Sequence, residues 1–534
     1  MIEEIQILVL LLVVIAAVAV IAARLQIPQA ILLVLAGVIM ALIPGLPPME
    51  LAPDLVLLLV LPPLVYSSAV AMSWREFRFN LRPIALLAVG CVVFTTVATA
   101  AATHWLLGAS WSVGFVLGAI VSPPDAVAPL SIARRLQMPR RILVVLEGEG
   151  LANDATALIL YRFAVVAVSL GVFSPGGAAM TFAAIVGGEI LWGIGVGWLM
   201  LRLRRWVHDT RIEITLSILT PFLAYWPPQH LGGSGVLATV TAGLYISWNG
   251  LRLISAATRL QGIFFWDFLI YVIEGMVFLI TGLQARTLAN RIAGFSASEL
   301  ALSAIVVSLV VILARFVWVF PATYLPRWLI PAVGRKDPSP PWQWPFAIGF
   351  TGVRGVVSLA AALAIPFATA SGDPFPHRDL ILLLTFCVIL VTLVGQGLML
   401  PTLIRALGLA HAGRRERRAD RAEEDQARRL AITAVIERLD ALAKERELAP
   451  EILQPLRARH RDRLKHFEQR SDGDDGHRKL TELDDEIELL LIGAERQAIN
   501  ELFRGGKLKD EARRRIEREL DLREAHLANQ RAEE

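Results

Sequence analysis

The residues best able to do chemistry lie in the segment EGEGLAND, which begins at Glu147 and ends at Asp154. It places three carboxylates and an amide in a run that is otherwise apolar to about residue 171. In a helix, Glu147 and Asp154 would share one face, with Glu149 and Asn153 on an adjacent face. Ionisable groups in such a run are costly and usually mark an ion or proton pathway. Asp154 is therefore the first candidate ion-binding group, whereas Glu147 is either a cavity residue or an exposed acid near the start of the helix.

The composition is that of a polytopic membrane protein. Of the 534 residues, 55% are hydrophobic, and the mean hydropathy is +0.56. Up to about residue 408 the chain is a series of apolar runs, each long enough to cross a hydrocarbon core of ~30 Å. We predict a transmembrane domain over 1–408 and a cytoplasmic helical tail over 409–534. The two cysteines lie in apolar runs and support neither a disulfide framework nor a zinc site. No cofactor or nucleic-acid partner is indicated.

The predicted fold is all-α, with about thirteen transmembrane helices. The spans are 5–23, 29–45, 51–72, 83–107, 111–131, 143–171, 178–201, 212–226, 232–248, 264–285, 299–325, 344–370 and 378–407. Arg and Lys are concentrated in alternate short loops, which marks those loops as cytoplasmic. This pattern puts the N-terminus outside the plasma membrane and the tail inside, an arrangement that needs an odd number of spans. The count depends most on a split at Pro227–Pro228.

Two spans contain a break with a charged residue in it. VSPPDAVAP, residues 121–129, has three prolines around Asp125, and GFTGVRGVVSLAAALAIP, residues 349–366, has glycines around Arg354. Such breaks free backbone carbonyls and amides, which are tolerated at membrane depth only where they line a cavity or are buried in protein. Because the breaks fall seven spans apart, we predict six-helix inverted repeats with two broken crossing helices beside a midplane site.

The charged residues at this depth suggest a division of roles. Asp125, Asp154 and Arg354 fall well inside their spans and could meet. A buried arginine needs an anionic partner, and we predict that Arg354 forms a structural ion pair with Glu149. Asp154 would then be free to carry either a proton or a monovalent cation, with hydroxyl, carbonyl and amide oxygens completing the shell. One carboxylate would couple two ions by competition.

Three motifs together resemble those of the monovalent cation:proton antiporter family, which contains bacterial and eukaryotic Na+/H+ exchangers. They are EGLANDA, which starts at Glu149, SPPDAVAP and GVRGVVSLAAALAIP. The resemblance covers residues 1 to about 408. It implies that Asp154 binds the ion beside Asn153 and that Asp125 is the aspartate of the first broken helix. It also implies that Arg354 is the buried arginine of the second, usually paired with the glutamate at the place of Glu149. The Asn-Asp form implies electroneutral, one-for-one exchange.

The chain departs from the family pattern at two places. The usual Thr-Asp-Pro core of the first break reads Pro124-Asp125-Ala126, so a threonine ligand is missing. In PPLVYSSA, Ser67 stands where several members carry an acid, which weakens the assignment of Na+ over K+. Besides Glu147, the candidate cavity residues are Ser67, Ser122 and Glu274.

Further charges in apolar runs have less specific interpretations. Glu274 is either a cavity residue or the partner of a buried arginine. Arg162 and Arg315 are expected to be structural charges, and Glu189 is assigned no role. The tail has amphipathic helical patterns that suit regulation or contact in a homodimer. Its basic start either contacts anionic lipid or is solvated.

The leading prediction is a secondary antiporter that exchanges Na+, or K+ or Li+, for H+ at Asp154. A K+/H+ antiporter with the same mechanism is the alternative. An intramembrane aspartyl protease would use Asp125 and Asp154, but its chemistry requires neither the adjacent Asn nor the Arg. A cation channel is disfavoured, because a single titratable acid without a repeated filter suits alternating access better than a continuous pore.

Overall fold

The computed structural model describes the chain except residues 1, 45–51, 171–174, 208, 251–252, 291–295, 371, 447–448, 472–474, 506, 509 and 534. The described residues form helices, and the strand-like pairing among them is limited to an isolated bridge between Ala368 and Pro374. The all-α prediction is confirmed. Two compact units, Met1–Arg414 and Arg415–Glu534, divide the chain.

The first unit begins with helices that lead up to the motif around Asp154. They are α1 (Ile2–Leu25), α2 (Gln29–Ala41), α3 (Pro53–Leu55), α4 (Leu61–Ala71), α5 (Trp74–Phe79), α6 (Leu81–Ala85), α7 (Val92–Leu107), α8 (Trp111–Val121), α9 (Val127–Arg135) and α10 (Arg140–Leu170). The π-helical turn Val56–Val60 joins α3 to α4, and the π-helical turn Leu86–Cys91 joins α6 to α7. Each pair is therefore one continuous stretch.

The following helices carry the second break and lead into the tail. They are α11 (Pro175–Arg204), α12 (Thr210–His230), α13 (Val236–Asn249), α14 (Ala256–Asn290), α15 (Ala297–Leu329), α16 (Pro331–Lys336), α17 (Gln343–Phe350), α18 (Val356–Leu363), α19 (Arg378–Leu390), α20 (Gly397–Ala406) and α21 (Leu409–Glu445). A third π-helical turn, Val391–Gln396, joins α19 to α20.

Eight helical stretches among the described residues are long and apolar enough to cross a membrane. They are Gln6–Leu25, Pro53–Ala71, Leu81–Leu107, Arg140–Ser169, Gly176–Arg204, Ala257–Ala289, Ala297–Leu329 and Arg378–Ala406. The apolar helices α2 and α8 are shorter. The count of thirteen spans and the inverted repeat stay predictions.

The predicted split between two helices is present, but it lies after His230 and not at Pro227–Pro228, because α12 continues through both prolines and α13 begins at Val236. Proline cannot donate to the carbonyl four residues before it. The carbonyl of Leu223, which Pro227 leaves free, instead accepts the indole N–H of Trp192 at 3.2 Å. The chain turns after α12, where Gly232 and Gly235 adopt positive φ angles of 91° and 71°.

The long helix α10 is central to the packing of the first unit. It lies against α8, α9 and α13, and against the π-helical turn in the α6–α7 stretch. Its apolar side joins a core cluster through Leu151, Ala155 and Leu158. On the polar side of this segment, Asn153 contacts the first break and Glu149 contacts α15.

The second unit contains the rest of α21 with α22 (Pro450–Ser471), α23 (Asp475–Arg504) and α24 (Asp510–Glu533). Ile492 on α23 and Leu520 on α24 are both 1% exposed. Arg523 forms ion pairs with Glu488 and Glu495, which join the same two helices. An amphipathic hairpin therefore makes up much of this unit.

Candidate functional site: two crossing broken helices

Both predicted breaks are real, and they meet. Helix α8 ends at Val121 and α9 begins at Val127, while α17 ends at Phe350 and α18 begins at Val356. The backbone N–H of Asp125, in the first break, donates to the carbonyl of Val353, in the second, at 2.7 Å. The two interrupted helices therefore share a direct backbone hydrogen bond between their non-helical segments, and we call this meeting point of residues 122–126 and 351–355 the crossing.

Arg354 uses its guanidinium to satisfy carbonyls that the breaks leave free. Its Nε donates to the carbonyl of Val121 at 2.9 Å, Nη2 donates to that of Ser122 at 3.3 Å, and Nη1 donates to that of Gly352. The last carbonyls of a helix lack intrahelical partners and carry partial negative charge. Arg354 is only 1% exposed. Because water cannot solvate its positive charge, the carbonyl oxygens near the ends of α8 and α17 offset that charge instead.

The predicted ion pair between Glu149 and Arg354 is wrong. Glu149 instead pairs with Arg315 on α15, whose Nη1 and Nη2 lie 2.5 and 2.8 Å from its two carboxylate oxygens. The Nε of Arg315 also donates to the carbonyl of Ile348 at 3.0 Å. The bidentate geometry occupies both carboxylate oxygens, while the donors of Arg354 go to backbone carbonyls. Arg315 is a structural charge, as predicted.

Asn153 holds α10 against the first break. Its Nδ2 donates to the carbonyl of Pro124 at 2.7 Å, and its Oδ1 accepts the backbone N–H of Asp154 at 2.7 Å. Asn153 itself is fully buried. The amide therefore positions Asp154 relative to the break, and its own polar atoms are used in doing so.

Three carboxylates near the crossing retain partial exposure. Asp125, Asp154 and Glu274 are each intermediate in exposure. Asp125 lies in the first break, Asp154 on α10, which packs against α8 and α9, and Glu274 on α14, which packs against α18. Asp125 Oδ1 accepts the backbone N–H of Val127 at 2.9 Å. No ion pair involves Asp154 or Glu274 among the residues that the structure describes.

Gly355 leaves the space that the Asp125 carboxylate fills. A Cβ built at Gly355 would overlap the carboxylate of Asp125. Any side chain at this position would force that carboxylate to move. A glycine is therefore required next to Arg354, because any side chain at this position would prevent the second break from approaching Asp125 so closely.

The other candidate cavity residues have more ordinary surroundings. Ser122 is buried, and its hydroxyl donates to the carbonyl of Ala119 at 3.2 Å. Ser67 lies on α4 with intermediate exposure. Glu147 pairs with Arg134 at 2.7 Å, and the Arg134 side chain is 62% exposed. Glu147 therefore partners a surface cation.

Two polar residues near these elements were not assigned roles from the sequence. The Thr392 hydroxyl, in the third π-helical turn, accepts the backbone N–H of Arg354 at 3.0 Å. Glu189 on α11 accepts from the N–H groups of Ser234, Gly235, Leu237 and Ala238, at the start of α13. Glu189 could have been noticed in the sequence because it is an acid in an apolar run. Nothing in the sequence distinguishes Thr392 from other threonines.

The crossing contains carboxylate oxygens, which can bind either a hard cation or a proton. Hard monovalent cations prefer such oxygen ligands. In the part of the chain that the structure describes, no three His, Cys, Asp or Glu residues group as a metal site. The half-buried acids with broken helices around them are the arrangement found in transporters.

The sequence profile described as "Sodium/hydrogen exchanger, transmembrane" matches residues 8–406. The chain belongs to the sodium/hydrogen exchanger family. It is therefore a multi-pass membrane transporter and not an enzyme, and the protease interpretation of Asp125 and Asp154 is wrong. The three motifs correctly identified the family.

Relatives of this exchanger are similar over much of its length. An uncharacterised Na+/H+ exchanger of Mycobacterium bovis is 35% identical over 519 residues, which cover 94% of this chain and 92% of the relative. A sodium, potassium, lithium and rubidium/H+ antiporter of Bacillus subtilis is 34% identical over 71% of this chain and 58% of its own length.

The fold of this exchanger is also similar to a solved structure. The sodium proton antiporter MjNhaP1 of Methanocaldococcus jannaschii matches with a TM-score of 0.61. The alignment has 20% identity and covers 77% of this chain and 99% of the other. At this identity the match concerns the fold alone.

Proposed function

We propose that this exchanger moves Na+, and also K+ or Li+, in one direction and H+ in the other by competition at Asp154. The proposal rests on the half-buried Asp154, which has no ion pair among the described residues and is positioned by Asn153 at the first break. An unpaired carboxylate can accept either a proton or a cation. Two ions that need the same site cannot occupy it together.

The neighbouring buried charges support this assignment because each has a partner other than Asp154. Glu149 is neutralised by Arg315, and Arg354 is offset by carbonyls. Neither needs Asp154 as a partner. Asp154 can therefore gain or lose its charge without leaving a buried arginine uncompensated.

The second candidate is a K+/H+ exchanger with the same mechanism. Ser67 stands where several family members have an acid, which removes one charged contributor near the cavity. The name of the Bacillus subtilis relative includes potassium and rubidium besides sodium and lithium. Both observations favour a site that accepts several monovalent cations.

The exchange we propose is electroneutral and takes place across the plasma membrane, with the N-terminus outside and the tail in the cytoplasm. Alternation of Arg-rich loops supports this orientation. A homodimer is a further proposal, which cross-linking in native membranes would test. Labelling of single cysteines at each end of the chain in sealed vesicles would test the orientation.

The function is tested in proteoliposomes that contain a pH-sensitive dye. Adding Na+, K+ or Li+ in turn should drive proton movement that stops when the cation is withdrawn. Asp154→Asn should abolish this movement while the protein stays folded and inserted, because the amide keeps the volume but lacks the charge. Cation-driven proton movement in the Asp154→Asn variant would contradict the proposal.

A further inference from the structure

A basic cavity lies at the end of the first unit, away from the crossing. It has a volume of about 300 Å³ and is lined by four basic residues, Arg135, Arg405, His411 and Arg414, together with Leu136, Gln137, Gly408 and Ala410. Among the described residues, the lining contains three arginines and one histidine but no acid. It brings together the end of α9, the end of α20 and the start of α21.

The arginines of this basic cavity have no carboxylate partner in the part of the chain that the structure describes. Arg135 donates through Nη2 to the backbone carbonyl of Gln26 at 2.5 Å. Arg405 and Arg414 have no ion pair within the described ranges. Three like charges around one cavity repel one another unless an anion lies between them. Guanidinium groups match the geometry of phosphate oxygens, to which they donate in pairs.

The frame of the basic cavity is tightly packed. A Cβ at Gly413 would overlap the backbone carbonyl of Gln137, so α21 approaches the α9–α10 connection as closely as a glycine permits. Leu409 and Ala410 are buried in a cluster with Met138 and Ile404. The backbone that carries the four basic side chains is therefore held in place by apolar contacts.

We propose that the basic cavity binds a phosphate group, supplied either by an anionic phospholipid or by a soluble phosphate compound. Bound phosphate would join α9, which begins two residues after Asp125, to the start of α21. It would offset the repulsion between the arginines and stabilise the folded protein by mass action. This site is separate from the proposed exchange at Asp154, and binding does not depend on transport.

The test measures thermal unfolding of the purified full-length protein in neutral detergent. The probes are inorganic phosphate against sodium chloride at equal ionic strength, and phosphatidylglycerol against phosphatidylcholine in the micelle. The double variant Arg405→Ala/Arg414→Ala removes two cavity charges. The matched control, Arg417→Ala/Arg418→Ala, removes two arginines of α21 that do not line the cavity.

Wild type and the control should show a concentration-dependent rise in melting temperature with a phosphate probe. The cavity variant should need about a hundredfold more probe for the same rise, since each charge-assisted bond contributes a factor of about ten or more. A rise with phosphatidylglycerol only would assign the site to lipid, and a rise with inorganic phosphate would assign it to a soluble compound. No rise in wild type, or an equal rise in the cavity variant, would overturn the proposal.

Discussion

At the scale of single residues, the buried charges near the crossing fall into two groups. Glu149 and Arg315 are 1% exposed and neutralise each other through two hydrogen bonds. Asp125 and Asp154 are half-buried, and neither forms an ion pair among the described residues. We expect the first group to stabilise the fold and propose the second for transport.

Removing one partner of the buried pair should destabilise the protein. We expect Glu149→Ala or Arg315→Ala to lower the free energy of unfolding by about 3–5 kcal/mol, because an uncompensated charge is left in the interior. The measurement is the melting temperature and the yield of folded protein in detergent. Replacing both partners, as in Glu149→Leu/Arg315→Met, should recover much of the loss.

The control for the buried pair is the exposed pair between Arg134 and Glu147. Arg134→Ala should cost at most about 1 kcal/mol, because that pair is hydrated. If Glu149→Ala and Arg315→Ala melt at the same temperature as wild type, the pair has no structural role.

At the scale of elements, Arg354 joins the ends of two interrupted helices. Its donors reach carbonyls at the end of α8 and at the break after α17. We expect Arg354→Ala to lower both melting temperature and exchange, because buried carbonyls lose their partners. Arg354→Lys should be intermediate, since an ammonium is a compact charge without the planar fork. Wild-type melting in Arg354→Ala would contradict this role.

The close approach of the two breaks gives a second prediction at this scale. In Gly355→Ala, the added methyl group displaces the Asp125 carboxylate. We expect exchange to fall on the order of 10- to 100-fold, because misplaced groups at a reacting site are costly. The matched control is Gly187→Ala, where a Cβ meets open space. The measurement is the initial rate of exchange of each variant in proteoliposomes. Wild-type exchange in Gly355→Ala would show that the position of the Asp125 carboxylate does not affect transport.

The sequence was sufficient to predict the two breaks, because proline and glycine act locally on the backbone. It also marked Asn153, Asp154 and Asp125, since charges in apolar runs are rare. It was not sufficient to choose the partner of Glu149. Arg315 and Arg354 were both buried arginines, and only the three-dimensional path of α15 decides which one reaches the carboxylate.

The same limit applies to the remaining polar contacts. Thr392 looks like any threonine of an apolar helix, and its hydrogen bond to the backbone of Arg354 depends on how α19 packs. Pro227 and Pro228 suggested a boundary, but a tryptophan on α11 satisfies the carbonyl that Pro227 frees. Long-range contacts of this kind leave no local pattern.

At the scale of the whole molecule, the proposed one-for-one exchange moves no net charge. Exchange of Na+ for H+ should therefore be independent of the membrane potential, although one uncompensated charge would be driven by about 2.3 kcal/mol per 100 mV. Initial rates at fixed Na+ and pH gradients, with and without a potential imposed by a thiocyanate gradient, test this without a potassium gradient. A clear voltage dependence would point to a second carboxylate, Asp125 or Glu274, that takes part in the cycle.

The central claim is that proton and cation compete for Asp154, and the cation KM measured across a series of pH values tests it most directly. Protons should act as a competitive inhibitor on the cation side. Lowering the pH should raise the apparent KM by about tenfold per unit well below the pKa of the acid, with little change in maximal rate. A KM that stays constant while the maximal rate falls would contradict the account, because the two ions would then bind at separate sites.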